Sequence, residues 1–351
     1  MLLQRLGAQI QSLQYKADSY SINHLFRKSK TTALKKTPSQ HTSSRKRAPR
    51  NRTLMLSRAD RRRLLPLLLT QAPKRQRTKP VTGIACGDYQ DWVRFLPRNS
   101  VDLLMLDPPY NLTKSFGALK FQARTEKKYT QWLQKVIGQL IPLLKPTASI
   151  YICGDWRTSL SIMKIAKEFF FVRNRITWER EKGRGAKTNW KNAHEDIWFC
   201  TMSSDYTFHV NQVKHRRRVI APYRNSDGSP KDWDESSEGK YRDTHPSNLW
   251  NDLSVPFWSM PENTDHPTQK PEKLVAKLLL ASSNSGDYVL DPFGGSGTTA
   301  VVAAKLQRQC LSIDLNQQYC LWALKRLEMA KQDQAIQGYE DGVFWQRNAG
   351  K

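Results

Sequence analysis

The apolar run Val101-Asp102-Leu103-Leu104-Met105-Leu106 ends abruptly in Asp107-Pro108-Pro109-Tyr110. A short run stopped by an acid and two prolines predicts a buried central strand of a parallel sheet. Such a strand delivers a stiff loop to the carboxyl edge, where open α/β sheets bind ligands. The prolines fix φ at two successive residues and remove two backbone donors, so the loop presents carbonyl acceptors and one carboxylate in a set geometry. With Tyr110 beside them, these groups suit the grip of an exocyclic amine on a planar heterocycle. The plainer reading is a strand end capped by a turn.

A second stretch shifts the balance. Tyr288-Val289-Leu290-Asp291-Pro292-Phe293-Gly294-Gly295-Ser296-Gly297-Thr298-Thr299 reads as a strand, a glycine-rich turn and the start of a helix over 300–306. That arrangement lets backbone approach a nucleotide-like ligand closely and aims helix N–H groups at its anionic end. About sixteen residues after the first glycine, Cys310-Leu311-Ser312-Ile313-Asp314 reads as another strand ending in an acid. An acid there accepts hydrogen bonds from ribose hydroxyls in nucleotide-binding sheets. The alternative is a purely structural turn.

The chain resembles the β group of DNA amino-methyltransferases, which move a methyl group from S-adenosyl-L-methionine to an exocyclic base nitrogen. The resemblance rests on Asp107-Pro108-Pro109-Tyr110, on His266-Pro267-Thr268-Gln269-Lys270-Pro271 and on residues 291–299, in the family's permuted order. The catalytic motif comes first and the glycine motif lies 184 positions (291 minus 107) further on. Over residues 81–330 this implies an α/β fold with a doubly wound, mostly parallel sheet, circularly permuted, with an inserted target-recognition region. It implies Asp107, Pro108, Pro109 and Tyr110 as catalytic residues, and Asp291, Phe293, Gly295, Ser296, Gly297 and Asp314 as cofactor contacts. Asp88, after the strand Ile84-Ala85-Cys86-Gly87, lies beside the adenine by the same resemblance, or caps the helix that follows. Thr268 and Lys270 become candidates for the methionine carboxylate. Gly294 stands where many members have Ala, a change expected to matter little.

Composition sets the outer bounds. A formal charge of +26 and a pI near 10.0 favour a polyanionic partner, and no run of eighteen apolar residues exists to cross a bilayer. Double-stranded DNA fits that charge. Residues 1–80 hold 20 Lys and Arg against Asp18 and Asp60, a net of +18, leaving +8 elsewhere. This arm is expected to be largely disordered, with helical pieces at 2–15 and 54–69. It reads as a DNA-binding tail, an organelle-type transit sequence or unselected upstream sequence. The folded domain is expected to start near Val81.

Helix and strand then alternate: helices over 129–144 and 156–169, a buried strand over 148–153, and strands over 173–178 and 197–201. The catalytic half thus covers 81–202. Between its last two strands, Gly183-Arg184-Gly185-Ala186-Lys187-Thr188-Asn189-Trp190-Lys191-Asn192 reads as a basic loop over the site or as a solvated surface loop. Its Gly-Arg-Gly-Ala, Asn-Trp and His194-Glu195 pattern resembles adenine-specific members, and Arg184, Lys187 and Asn189 become candidate DNA contacts; His194 is read as structural. Residues 203–262 form the recognition insert, with Arg216, Arg217 and Arg218 as phosphate contacts. The cofactor half covers 263–331, with helices over 272–283 and 317–331, and 332–351 is a frayed tail.

The five cysteines form no C-x-x-C pair and none follows a proline, which argues against a zinc site and against the Pro-Cys nucleophile of cytosine C5 enzymes. They fit a reducing, cytoplasmic compartment. The expected activity is transfer to adenine N6 of a flipped-out base, without a metal; cytosine N4 is the alternative, and an RNA or protein acceptor a more distant one. The resemblance leaves room for a cognate restriction endonuclease, and for a monomer or weak homodimer.

Overall fold

The computed structural model describes residues 48–116, 119–180, 188–220, 222–236 and 239–346. The helix expected at 2–15 and the candidates Arg184 and Lys187 lie outside these residues. Eight strands form the main sheet, in the order Gly83–Cys86, Gln309–Asp314, Tyr288–Asp291, Val101–Leu106, Leu144–Gly154, His194–Thr201, Phe171–Glu179 and Leu249–Trp250. Only His194–Thr201 runs against the others, so the sheet is mostly parallel, as expected. The strands of the two motifs are direct neighbours, with Val289 opposite Leu103 and Leu290 opposite Leu104. Asp102 ties this seam by accepting from the Tyr288 amide (2.9 Å) and from the Lys145 ammonium (2.6 Å). From the seam the chain departs in opposite directions, toward Leu144–Gly154 on one side and Gln309–Asp314 on the other. A doubly wound sheet opens a crevice at such a switch point.

Period-two alternation decides what covers each face. Leu104, Leu106, Ile150, Ile152 and Leu290 join the core under helices Glu126–Leu140 and Ser159–Phe169. Leu103, Met105, Tyr151, Cys153 and Val289 join the core under helices Glu272–Ser282, Thr298–Lys305 and Gln317–Gln332. Both faces being buried explains why these strands read as continuous apolar runs. Helix Glu126–Leu140 forms because Thr125 caps it and Tyr129, Leu133, Val136, Ile137 and Leu140 share one face. Burying each of the aliphatic ones is worth about 1.5–3 kcal/mol.

Three boundaries differ from the sequence reading. The domain starts well before Val81: Ser57 and Asp60 close a capping box on helix Arg58–Leu64. Asp60 pairs with Lys325 at 2.8 Å and Arg63 with Glu328 at 2.9 Å. Leu64 and Leu68 enter the core, and Leu69 pairs with the edge strand through its amide to Ile84 O (3.0 Å) and its carbonyl to Cys86 N (2.9 Å). Upstream, the Arg52 amide bonds Trp258 O (2.6 Å) and the Leu54 amide bonds Asn263 O (2.8 Å). A helical piece was expected over 54–69 and is present as Arg58–Leu64; what the dense arginine hid is its docking, which Leu64 and Leu68 carry.

The tail is ordered as well. Tyr339–Glu340 and Val343–Trp345 complete a five-stranded sheet with His215–Arg218, Gly239–Thr244 and Asp234–Ser236 from the insert. The insert gives one strand away, since Leu249–Trp250 extends the main sheet beside Phe171–Glu179. A sealed charge cluster joins insert to helix: Asp252 accepts from Lys277 (2.7 Å) and Lys273 (2.9 Å), with His215 Nε2 at 3.6 Å. Burial opposes ionisation there, yet the two ammonium groups hold the Asp252 carboxyl down to about 2.

Candidate active site

Asp107 and Gly295 line the same cavity, at the carboxyl ends of the two seam strands. The walls also carry Pro108, Pro109, Tyr110, Thr268, Lys270, Phe293 and Asp314. Asp107 and Gly295, 188 positions apart (295 minus 107), are brought together by the pairing of strands Val101–Leu106 and Tyr288–Asp291.

On the catalytic side the groups form one network. The Tyr110 hydroxyl sits 3.0 Å from Asp107 Oδ1 and 3.1 Å from Glu195 Oε2, so one proton serves two carboxylates. Lys270 Nζ donates to Asp107 Oδ2 (2.7 Å) and to the Tyr110 hydroxyl (3.2 Å), and stands 3.4 Å from Glu195 Oε2. Arg180 pairs with the other oxygen of Glu195. Burial opposes the Lys270 charge, but Asp107 and Glu195 outweigh it and hold the ammonium protonated well above its ordinary range. Burial, then the same two carboxylates, push the Tyr110 hydroxyl well up, keeping it a donor. Pro109 O accepts from the Tyr129 hydroxyl at 3.1 Å, which fixes the loop to the helix below it.

On the other side the chain turns tightly. Gly295 (φ +53°) and Gly297 (φ +77°) are left-handed, and a Cβ on Gly297 would come 2.3 Å from that of Ala323. Glycine is what lets helix Thr298–Lys305 lie this close to Gln317–Gln332. Asp314 Oδ2 accepts from the Gly295 amide (3.0 Å) and Oδ1 from the Asn316 amide (2.7 Å), and burial raises its carboxyl to about 6. Asp291 lies deeper, accepts from the Phe293 amide at 3.1 Å, and is raised by burial to about 7. The Ser296 hydroxyl is buried with no hydrogen-bond partner among the described residues. Gly294 matters more than expected: a Cβ there would fall 1.8 Å from Ser312 Oγ, so Gly294 and Ser312 are packed as a pair.

Aromatic rings floor the cavity, with Phe293 5.3 Å from Tyr89 and 6.3 Å from Trp132 between ring centroids. His266 stands edge-on over Tyr319 at 4.4 Å, and burial, then Lys270, lower it to about 3. Its neutral Nδ1 accepts from the Thr268 amide at 3.3 Å.

Several sequence candidates fall elsewhere. Lys270, assigned to a methionine carboxylate, has its ammonium on Asp107 and Glu195 instead, while Thr268 keeps a place on the wall. Asp88 caps helix Tyr89–Val93 and its neighbours Gly87 and Tyr89, not Asp88 itself, line the cavity. Arg216 is no free phosphate contact: it pairs through two bonds of 2.8 Å with Asp243 and stacks 5.4 Å from Trp345. Arg217 and Arg218 are exposed, as is Asn189. His194, read as structural, lines the cavity. Glu195 and Arg180 were missed as site residues; the His194-Glu195 pair was visible, but nothing local says which cation a buried acid will meet. Trp132 was hidden as one more apolar residue on an amphipathic helix.

The comparisons with known proteins agree with this geometry. Residues 101–325 match the N6/N4-type DNA methylase family. DNA adenine methyltransferase YhdJ of Escherichia coli (strain K12) is 34% identical over 251 residues, covering 70% of this chain and 82% of that protein. Type II methyltransferase M.HpaI of Haemophilus parainfluenzae is 31% identical over 248 residues, covering 70% and 74%. Among solved structures, PvuII DNA methyltransferase (cytosine-N4-specific) superposes with a TM-score of 0.52 at 18% identity, covering 71% of this chain and 87% of that one, which shows a shared methyltransferase fold. With a matched segment that begins at the strand of Asp107 and runs past the glycine turn to the last long helix, this chain belongs to the DNA methylase family.

Proposed function

We infer that the protein transfers a methyl group from S-adenosylmethionine to the N6 amine of adenine at specific sites in DNA. The observation that carries this is the single cavity bearing both Asp107 and the Gly295–Asp314 corner. The residues fit the cofactor: the left-handed glycines leave room for a close ligand, the unpartnered Ser296 hydroxyl offers a donor, and Asp314 faces the cavity as an acceptor. When bound, S-adenosylmethionine supplies a methyl group on a cationic sulfur.

The chain's residues do the rest. Asp314 accepts from ribose hydroxyls and Phe293 covers the adenine ring. The 295–297 backbone lets the ligand sit close, Asp291 braces the turn from behind, and Thr268 borders the methionine end. An exocyclic amine conjugated to its ring is a poor nucleophile. Asp107 and the Pro108 carbonyl accept its hydrogens and draw the lone pair toward the methyl, while Tyr110 stacks on a base flipped out of the duplex. The exposed Arg217 and Arg218 are the candidates for contacts to DNA phosphates, and the exposed Asn189 is a candidate DNA contact.

Duplex DNA is the partner. A cognate restriction endonuclease, suggested by the type II name of the HpaI relative, a monomeric or weakly dimeric state and a cytoplasmic location belong to the same proposal. Among the described residues no helix is long and apolar enough to cross a membrane.

The test is incubation with labelled S-adenosylmethionine and a choice of unmethylated genomic DNA, RNA and protein, followed by nucleoside analysis. Label in N6-methyladenine is the expected outcome. Label in N4-methylcytosine moves the acceptor to cytosine, and label only in RNA or protein overturns the reading.

A further inference from the structure

Asp107 is the residue assigned to the amine hydrogens, yet both of its oxygens are already engaged, one by the Tyr110 hydroxyl and one by Lys270 Nζ at 2.7 Å. A buried ammonium therefore takes one of the acceptor positions on Asp107 that a substrate amine would use, and offers it the same kind of N–H donor. The lysine has a second carboxylate within reach, Glu195 Oε2 at 3.4 Å, itself only 3% exposed and anchored from behind by Arg180. Asp107, Glu195, Lys270 and Arg180 sum to zero charge and Lys114 adds one cation on the same wall; shifting the ammonium from one acid to the other leaves that total unchanged.

We propose that Lys270 is a built-in stand-in for the substrate amine, and that Glu195 is the seat to which its ammonium moves when a base arrives. This rests on the amine-methylation reading above. Glu195 is then a positioning residue that acts through Lys270. With the lysine withdrawn to Glu195, the Asp107 carboxylate loses its strongest donor and becomes a better acceptor for the incoming amine. Without Glu195 the ammonium stays on Asp107 and competes with the base. The stand-in also keeps the two acids from facing each other bare while the site is empty.

A double-mutant cycle on the full chain tests this, with labelled S-adenosylmethionine and unmethylated genomic DNA as acceptor. Glu195→Gln is expected to lower kcat/KM for DNA at least tenfold, with cofactor affinity by calorimetry changed less than twofold. In a Lys270→Met background the same substitution is expected to change kcat/KM less than twofold, because nothing is left to be received. Glu195→Asp, which keeps the charge, is expected to recover part of the loss. Should Lys270→Met not fold, Lys270→Gln removes the charge while keeping a donor. Equal losses in both backgrounds, or a wild-type rate for Glu195→Gln, overturn the stand-in while leaving the methylation reading intact. A wild-type protein that puts no label into DNA removes both.

Discussion

Among the lysine–carboxylate clusters of the described residues, two are built from the same chemistry and set to different tasks. Asp252 with Lys273, Lys277 and His215 is sealed between insert and helix, and the Asp252 side chain is 2% exposed. Asp107 with Lys270 faces the cavity, and the Asp107 side chain is 21% exposed. A sealed pair cannot trade partners, so its contribution goes to holding two parts of the fold together. A pair beside a cavity can trade its partner for a ligand, so its contribution goes to binding. Access, more than pairing energy, separates a fastener from a site.

Each side of that contrast can be broken. Asp107→Ala is expected to cost on the order of 10³-fold in methyl transfer while cofactor affinity stays near wild type; retained turnover would erase the distinction. Asp252→Ala leaves two ammonium groups and an imidazole without their acid, at a cost of about 3–5 kcal/mol. The expected sign is a melting temperature lowered by roughly 10 °C, with transfer by the folded fraction unchanged; an unaltered melting curve would mean the cluster fastens nothing.

Titration sharpens the contrast further. Burial lifts Asp314 to about 6 from an ordinary value of 3.8, so its raised value favours the folded free protein in acid, and that contribution is lost as pH rises through about 6. Ribose hydroxyls donate to the ionised carboxylate, so cofactor affinity should run the other way, falling roughly tenfold between pH 7 and pH 5. Flat affinity across that range, measured by calorimetry, would remove Asp314 from the ribose. The smallest effect tests the same contrast inside one turn, where Gly294 faces the packed Ser312 and Gly295 faces His266 across the cleft. Gly294→Ala should cost about 1–2 kcal/mol through crowding, and Ser312→Ala should restore the melting temperature.

What could be read from the sequence follows from what is local. The seam strands were legible because each buries both faces and ends in an acid at the ligand edge, and the permuted motif order told which two would meet. The Gly295 and Gly297 turn was legible because few residues but glycine adopt its backbone. Lys270 was misassigned because a lysine reaches several ångströms and its partner is set by where Glu195 arrives on a different strand. Arg216 was misread for a related reason: its charge is answered by Asp243, which strand pairing brings opposite it. The early boundary and the ordered tail escaped because Leu64, Leu68 and Phe344 carry the docking, and each sits in a short apolar run flanked by charged or polar residues, too short to show which face it packs against.

The segment from Arg52 to Leu69 holds the molecule at two distant places, the backbone of residues 258–263 and the outer strand Gly83–Cys86. The first of these runs straight into the loop that carries His266 and Lys270. A tether fixed at both ends transmits slack: if ligand draws that loop inward, the Leu54 amide feels it. Deuterium uptake at a single backbone position on the outside of the protein would then report whether the cleft within is filled.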